Sequence, residues 1–263
     1  ALTWITEPWQ APLLARGGLI AMLTGAAAAA IGCWVLLRDL PYAAESLSHG
    51  MFPGLVAAAI LGVPIALGGL AGLALAAGAI VAARRWITDE NHSIAIAIIP
   101  LLGLGAVLAL SGPVPPGTGS ALFGDVLSTD STDLIAAFAV AGLVAVALYG
   151  LHWRLLASGL TGKGITADAI VLVFLAVATA AAARSLGALL AVALILGPAS
   201  AASRLADRAG KMILIGAGTA IVSVTVGVEA SWHLDVATGP AIALCAIIPA
   251  AIAAGVKPKK AGI

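Results

Sequence analysis

The sequence predicts an all-α, polytopic membrane protein, and two observations support this prediction. The 263 residues are 62% hydrophobic and only 10% charged, whereas soluble domains average about 25% charged residues. The apolar residues also form runs of about 20, which is the length that crosses a bilayer core as a helix. Lipid tolerates only helices and closed barrels, because backbone polar groups find no water there. The runs are too long for barrel strands, so helices are predicted.

Nine of these apolar runs are predicted to span the membrane as one transmembrane domain over residues 16–256. They cover residues 16–37, 43–62, 64–83, 94–111, 132–151, 168–184, 186–204, 211–228 and 239–256. Residues 1–15 contain Trp4 and Trp9, and tryptophan is typical of the membrane–water interface. We therefore expect an interfacial segment before the first span. Residues 257–263 form a basic tail.

The basic residues predict the orientation of the chain. Eleven of the thirteen Lys and Arg residues lie in five gaps that share one side if the spans alternate. The positive-inside rule makes that side cytoplasmic, so the N-terminus is expected outside and the C-terminus inside. The eleven residues are Arg38, Arg84, Arg85, Arg154, Lys163, Arg204, Arg208, Lys211, Lys257, Lys259 and Lys260.

Composition and motifs argue against several classes of function. A net charge of +1 gives no reason to expect nucleic acid as a partner. The fragment Gly162-Lys163-Gly164 is not a phosphate-binding loop, because no Ser or Thr follows the lysine and no strand precedes it. The chain is therefore not predicted to be an enzyme or to hold a tightly bound cofactor. Active transport would need a partner or an ion gradient.

The predicted outer loops are acidic. The loop at 112–131 has no Lys or Arg but contains Asp125 and Asp130, and the loop at 229–238 begins with Glu229. An acidic mouth favours cations over anions. The topology rule alone explains the missing positive charges, although it does not explain the aspartates.

One carboxylate–imidazole pair lies within a predicted span. Glu45 and His49 are four residues apart, so they share a face of the helix. These two groups are plausible ligands for Zn²⁺, Mn²⁺ or Fe²⁺. The alternative is a buried hydrogen-bonded pair with a structural role only. Ionisable groups are costly in lipid and usually functional there, which favours the metal interpretation.

A second candidate lies in the last outer loop. His233 and Asp235 are two residues apart, a spacing that suits a loop better than a helix face, and Glu229 precedes His233 by four. The alternative is a solvated loop without a ligand. His92 and His152 are predicted to be ordinary solvated histidines.

The segment 152–167 is the longest predicted cytoplasmic segment. It mixes apolar residues with Arg154 and Lys163, a composition that predicts a short amphipathic helix docking against a partner.

At this point the chain resembles the permease subunits of zinc- and manganese-type metal-uptake ABC importers. Three stretches carry the resemblance, and their order and spacing fit from about residue 16 to the end. They are GCWVLLRDLPYAAESLSHGMFPG (32–54), LFGDVLSTDSTDL (122–134) and LGALLAVALILGPASAASRLADR (186–208).

The resemblance implies a homodimer in the bacterial plasma membrane, with cytoplasmic ATP-binding subunits and an extracytoplasmic metal-binding protein as partners. It implies that His49 is a metal ligand and that Glu45 replaces the usual Asp, which lengthens the carboxylate arm by a methylene. It places His233 and Asp235 among polar residues before a small-residue–Gly pair. It also implies a coupling helix within 152–164, with Arg154, Leu155, Leu156, Gly159 and Lys163 as the residues that contact the ATPase.

Several alternatives stay open. A secondary transporter driven by an ion gradient would need no ATPase, and an importer of metal chelates would need a wide apolar cavity instead of ligands. An intramembrane metalloprotease is disfavoured because no H-E-x-x-H pattern occurs. Imidazole and carboxylate bind Mn²⁺ and Zn²⁺ alike, so these ligand types fit either cation as the transported one. The predicted topology separates the two ligand pairs, which favours two stations along one path.

Overall fold

The computed structural model describes residues 2–110, 124, 126, 129–160 and 165–255, and these residues form ten α-helices. The all-α prediction is confirmed, because each of the nine predicted spans falls on one of the helices α2–α10. The helices are α1 Leu2–Gln10, α2 Pro12–Leu37, α3 Pro41–Leu61, α4 Ile65–Ala83, α5 Glu90–Leu110, α6 Ser131–Leu160, α7 Ile165–Leu186, α8 Ala188–Leu205, α9 Ala209–Leu234 and α10 Thr238–Ala254.

Length and composition support a membrane location for this bundle. Within the described residues, α2, α4, α5, α6 and α9 contain segments long and apolar enough to cross a bilayer. Large aromatic side chains are also exposed near helix ends, with Trp86 90% and Trp153 78% accessible. Aromatic residues at such positions are typical of the membrane–water interface. The chain is therefore a multi-pass membrane protein.

Turn chemistry explains where α3 begins and ends. Pro41 is its first residue, a position where the missing proline N–H costs nothing. Gly62 follows its last residue with φ +67°, a left-handed conformation that glycine adopts without strain. Asp39, between α2 and α3, also has a positive φ of 56°. The connection from α2 to α3 is therefore a tight turn of three residues.

Glycines allow the helices to approach closely. A Cβ atom on Gly54 in α3 would lie 2.0 Å from the carbonyl oxygen of Gly68 in α4. A Cβ atom on Gly32 in α2 would lie 2.0 Å from the carbonyl oxygen of Ile195 in α8. Backbone contact of this kind is how small residues stabilise membrane helix pairs.

Contacts at the two ends of α2 fix the direction of the neighbouring helices. Near its end, the Cys33 Sγ lies 3.4 Å from the carbonyl oxygen of Met212, at the start of α9. Before its beginning, the Trp9 indole contacts Glu229, near the end of α9. The helices α2 and α9 are thus antiparallel. Asp168 pairs both with Arg38 at the end of α2 and with Arg84 just after α4, at one end of the bundle.

Two helices are longer than the sequence predicted. The helix α6 runs without a break from Ser131 to Leu160, so residues 152–160 do not form the separate short coupling helix that was expected. Residues 161–164 and the basic tail at 257–263 lie outside the described residues. The helix α9 continues to Leu234, so residues 229–234 are helical and not a loop, because their apolar and polar positions extend the same helix.

Candidate functional site

The face of α3 that carries Glu45 and His49 is accessible in the single chain. Glu45 is exposed and His49 half-buried, while Ala44, Leu47 and Met51 on the other faces are buried. The buried faces pack against α4, α5 and α8. A carboxylate is too costly to leave in lipid, so this face of α3 must meet water or protein.

The accessible positions form a continuous stripe along the first half of α3. Tyr42, Glu45, His49 and Phe52 follow each other at spacings of three and four, which places them on one helix face. We call these four residues the α3 stripe. It offers one carboxylate and one imidazole side by side, with an aromatic residue at either end.

The four ligands predicted from the sequence are not brought together in one chain. Among the described residues, no group of three or more His, Cys, Asp or Glu side chains could hold a metal ion. Glu45 lies in the second turn of α3, near the end of the bundle that holds Arg38. His233 and Asp235 lie at the end of α9, near Trp9. The pairs are therefore in opposite halves of the bundle.

At the end of α9, His233 pairs with Glu229. The His233 Nε2 lies 3.5 Å from the Glu229 Oε2, and both side chains are about 15% exposed. The Trp9 Nε1–H of α1 donates to the Glu229 Oε1 at 2.6 Å. The result is a second Glu-x-x-x-His pair on a helix, with the same spacing as Glu45 and His49. The sequence shows the spacing of Glu229 and His233, but it predicts a loop over 229–238 and therefore not a shared helix face.

Asp235 has a structural role as the C-cap of α9. It adopts the left-handed conformation, with φ 52° and ψ 46°, and its N–H donates to the carbonyl oxygen of Ser231. The Ser231 hydroxyl also lies 2.7 Å from the carbonyl oxygen of Val236 and 2.8 Å from the Thr238 hydroxyl. These contacts fasten the end of α9 to the start of α10.

Of the three residues predicted at the outer mouth, Glu229 and Asp130 belong to the described residues and Asp125 lies outside them. The Asp130 carboxylate accepts bonds from the N–H of Thr132 at 2.8 Å and the N–H of Asp133 at 2.9 Å. The Asp133 carboxylate in turn accepts from the Asp130 N–H at 3.1 Å. This reciprocal pattern is a capping box that begins α6. Helix capping thus explains Asp130 without any cation.

The predicted coupling residues divide between surface and core. Arg154 is exposed and Leu156 half-buried, whereas Leu155 is only 4% exposed and belongs to the main hydrophobic core. Gly159 lies in the last turn of α6, and Lys163 lies outside the described residues. The core position of Leu155 follows from the unbroken α6, which turns this residue towards its neighbours.

His152 is not the solvated side chain that the sequence predicted. It is half-buried, and its ring packs edge-on against Trp34 with 5.7 Å between centroids. The contact joins the last turns of α6 to the last turns of α2. His92, by contrast, is 79% exposed, as predicted.

A buried ionic cluster joins three helix ends, and sequence reasoning missed it. The Arg38 Nε donates to the Asp168 Oδ1 at 2.5 Å, and the Arg84 Nη2 donates to the Asp168 Oδ2 at 2.7 Å. Arg38 is 4% exposed, Asp168 1% and Arg84 11%. An acidic residue at the start of the apolar run 168–184 was the available signal. We call these three residues the Arg–Asp–Arg cluster.

Two large apolar cavities lie elsewhere in the bundle. One, of about 670 Å³, lies at the contact of α4 with α7, and the other, of about 920 Å³, lies between α2, α6 and α9. The larger one is lined mainly by apolar side chains such as Met22, Val144, Leu148 and Ile213. Neither cavity is lined by a residue of α3. These two cavities are therefore separate from the candidate ligands on α3.

Comparison with known proteins places this bundle among membrane transport subunits. The model of the ABC 3 transport family matches residues 10–256. A manganese transport system membrane protein of Halalkalibacterium halodurans is 31% identical over 256 residues, with 91% of this chain and 86% of that protein covered. One from Synechocystis is 26% identical, with 90% and 80% covered. The chelated iron transport system membrane protein YfeD of Yersinia pestis is 25% identical, with 91% and 84% covered.

Solved structures share the fold. PsaBC from Streptococcus pneumoniae in complex with Fab superposes with a TM-score of 0.83 at 23% identity, covering 99% of this chain and 98% of that chain. An inward-facing putative metal-chelate type ABC transporter gives a TM-score of 0.66 at 17% identity, covering 94% and 86%. The arrangement of α2–α10 is therefore a known fold.

Proposed function

Because this chain belongs to the ABC 3 transport family, we propose that it is the permease of an ABC importer that carries Mn²⁺ or Zn²⁺ into the cytoplasm. The resemblance drawn from the three sequence stretches is confirmed at the level of the family. A permease of this kind is a transport component and not an enzyme. The proposal therefore concerns the cargo, the ligands and the partners.

The observation that carries the proposal is the α3 stripe. It presents a carboxylate and an imidazole, four residues apart, on a helix face that the single chain leaves open. These are ligands that Mn²⁺ and Zn²⁺ both accept. Two ligands replace only part of the hydration shell of the cation, and a transport site must bind weakly enough to release its cargo. Glu45 and His49 fit this requirement.

The Glu229–His233 pair supplies a second station at the other end of the bundle. Under this proposal, His233 acts with Glu229, and Asp235 adds negative charge beside them. The carboxylate of Asp130 adds negative charge at this end, which favours cations over anions, and Asp125 is proposed to act with it on the basis of the sequence alone. The cation then moves along the bundle to Glu45 and His49.

The open α3 stripe also supports a homodimer. A second copy of the chain facing α3 would shield Glu45 from lipid and enclose a path for the cation between the two copies. Cytoplasmic ATPase subunits would dock at the end that carries Arg154, and an extracytoplasmic metal-binding protein at the opposite end. The bacterial plasma membrane is the location that this assembly requires, with the Arg38 end in the cytoplasm according to the positive-inside rule.

The test is metal uptake by the permease reconstituted into liposomes with its ATPase and binding protein. Mn²⁺, Zn²⁺ and Fe²⁺ are supplied separately, with and without ATP. We expect ATP-dependent uptake, which Glu45→Gln and His49→Ala reduce about 100-fold or more if each removes a charge-assisted ligand contact of about 3 kcal/mol. Asp133→Asn, which lies in the α6 capping box, is the matched control for removal of a carboxylate.

The rival functions give different results in the same assay. Uptake driven by an imposed ion gradient without ATP identifies a secondary transporter. Uptake of a metal chelate that survives Glu45→Gln and His49→Ala identifies a chelate importer. Glu229→Gln is expected to lower uptake more than Asp235→Gly, because the Glu229 Oε2 lies 3.5 Å from the His233 Nε2, whereas Asp235 serves as the C-cap of α9.

A further inference from the structure

We propose that the Arg–Asp–Arg cluster is the element that transmits movement from the ATPase-binding segment to the α3 stripe, so that Arg38, Asp168 and Arg84 are positioning residues for transport. The inference rests on the proposed function and adds residues that have no contact with the cation. It identifies how an event at one end of the bundle changes the ligand geometry on α3.

The cluster lies where three helix termini meet. Arg38 and Arg84 are the C-cap residues of α2 and α4, and Asp168 lies in the first turn of α7. The partial charges of helix ends favour cations at C-termini and anions at N-termini. All three charges are therefore placed where their own helices stabilise them, and Asp168 uses one carboxylate oxygen for each arginine.

On one side, the cluster is close along the chain to the predicted coupling segment. Asp168 is the fourth residue of α7, which begins at Ile165, immediately after residues 161–164. The end of α6 is also held against α2 by the His152–Trp34 contact. A movement of the start of α7 therefore reaches Asp168 within one helical turn.

On the other side, the cluster is directly connected to the metal ligands. Only Asp39 and Leu40 separate Arg38 from Pro41, the first residue of α3. The Leu40 N–H donates to the carbonyl oxygen of Val35 at 2.8 Å, and the Leu40 side chain is 1% exposed. The turn is therefore stiff. Movement of Arg38 shifts the start of α3, and Glu45 follows four residues later.

The buried setting suits such a role. Replacing a buried ion pair by apolar residues often leaves stability unchanged, so stability alone does not explain why three charges are buried here. Ion pairs have strict geometry, and they make or break contacts as units, which allows two discrete arrangements. Arg84 adds α4 to the moving unit, and α4 packs along α3.

The experiment measures the number of metal ions transported per ATP hydrolysed by the full complex in liposomes. The variants are Asp168→Asn and Arg84→Gln, and the control is Arg85→Gln. Arg85 is the neighbour of Arg84 in the chain but is exposed, so the control removes the same charge without touching Asp168. Binding of Mn²⁺ to each complex is measured in parallel.

We expect both cluster variants to bind Mn²⁺ and hydrolyse ATP while transport per ATP falls about 5- to 150-fold, the usual range for coupling between sites. Arg85→Gln should stay within about twofold of the wild type. A ratio for both variants equal to that of the control overturns the proposal. So does a parallel loss of transport and hydrolysis at a constant ratio, which indicates a structural role only.

If Asp168→Asn does not assemble, Arg84→Gln decides alone, because it keeps the Arg38–Asp168 pair and leaves Asp168 with a partner. Metal uptake by the wild-type complex tests the proposed function separately. A wild-type complex that takes up none of the three metals contradicts the proposed function. Wild-type uptake together with an unchanged ratio in Arg84→Gln contradicts the cluster proposal alone.

Discussion

The hydrogen bond from Trp9 to Glu229 makes the attachment of α1 testable. Trp9→Phe keeps the aromatic ring but removes the N–H that donates to the Glu229 Oε1 at 2.6 Å. A hydrogen bond to a charged group contributes about 1.5–3 kcal/mol. Since about 1.4 kcal/mol is a factor of ten, the fraction of time that α1 is detached should rise about 10- to 150-fold.

Hydrogen exchange of the backbone amides in α1, followed by mass spectrometry on the purified permease in lipid nanodiscs, measures this opening. Trp232→Phe is the control, because Trp232 lies at the same end of the bundle but is 43% exposed. We expect the exchange rate in α1 to rise in Trp9→Phe and to stay at the wild-type value in Trp232→Phe. Unchanged exchange in Trp9→Phe would refute the view that this bond holds α1 on the bundle.

Two further predictions concern packing and coupling. Gly54→Ala should lower the melting temperature, because its Cβ would lie 2.0 Å from the Gly68 carbonyl oxygen and overpacking costs about 1–3 kcal/mol. Gly78→Ala should leave the melting temperature unchanged, because a Cβ there meets no atom within 4 Å. Equal melting temperatures for the two variants would contradict the close approach of α3 and α4. Leu155→Ala should lower the free energy of unfolding by about 2–5 kcal/mol. Arg154→Ala should retain stability and weaken binding of the ATPase in a pull-down. The reverse pattern would place Leu155 at the partner surface.

The sequence predicted the spans well because apolar runs of this length have only one structural solution in lipid. It predicted their ends less well. The helix α6 continues past residue 151 and α9 past residue 228, because polar residues at the interface remain helical when their neighbours pack, as His152 does against Trp34. Hydropathy reports where a chain leaves the lipid and not where a helix ends.

The candidate site was predictable where its residues are close in sequence. Glu45 and His49 share a helix face by spacing alone, and the structure places both on one accessible stripe. The pairing of Arg38 and Arg84 with Asp168 joins residues 130 and 84 positions apart. A single sequence contains no signal for such contacts, because they depend on the packing of α2, α4 and α7.

The central claim is that Glu45 and His49 bind the transported cation, and pulsed EPR of the Mn²⁺-loaded complex tests it most directly. A nitrogen of His49 coordinated to Mn²⁺ would give a hyperfine signal, which ¹⁵N labelling of histidine shifts. The test is made in a His233→Gln background, which removes the histidine of the second station. We predict that the signal is present in this background, absent when His49→Gln is added and retained when His92→Gln is added, since the His92 imidazole is solvent-exposed. A histidine nitrogen signal that persists after His49→Gln, or no such signal in the His233→Gln background, would contradict the assignment.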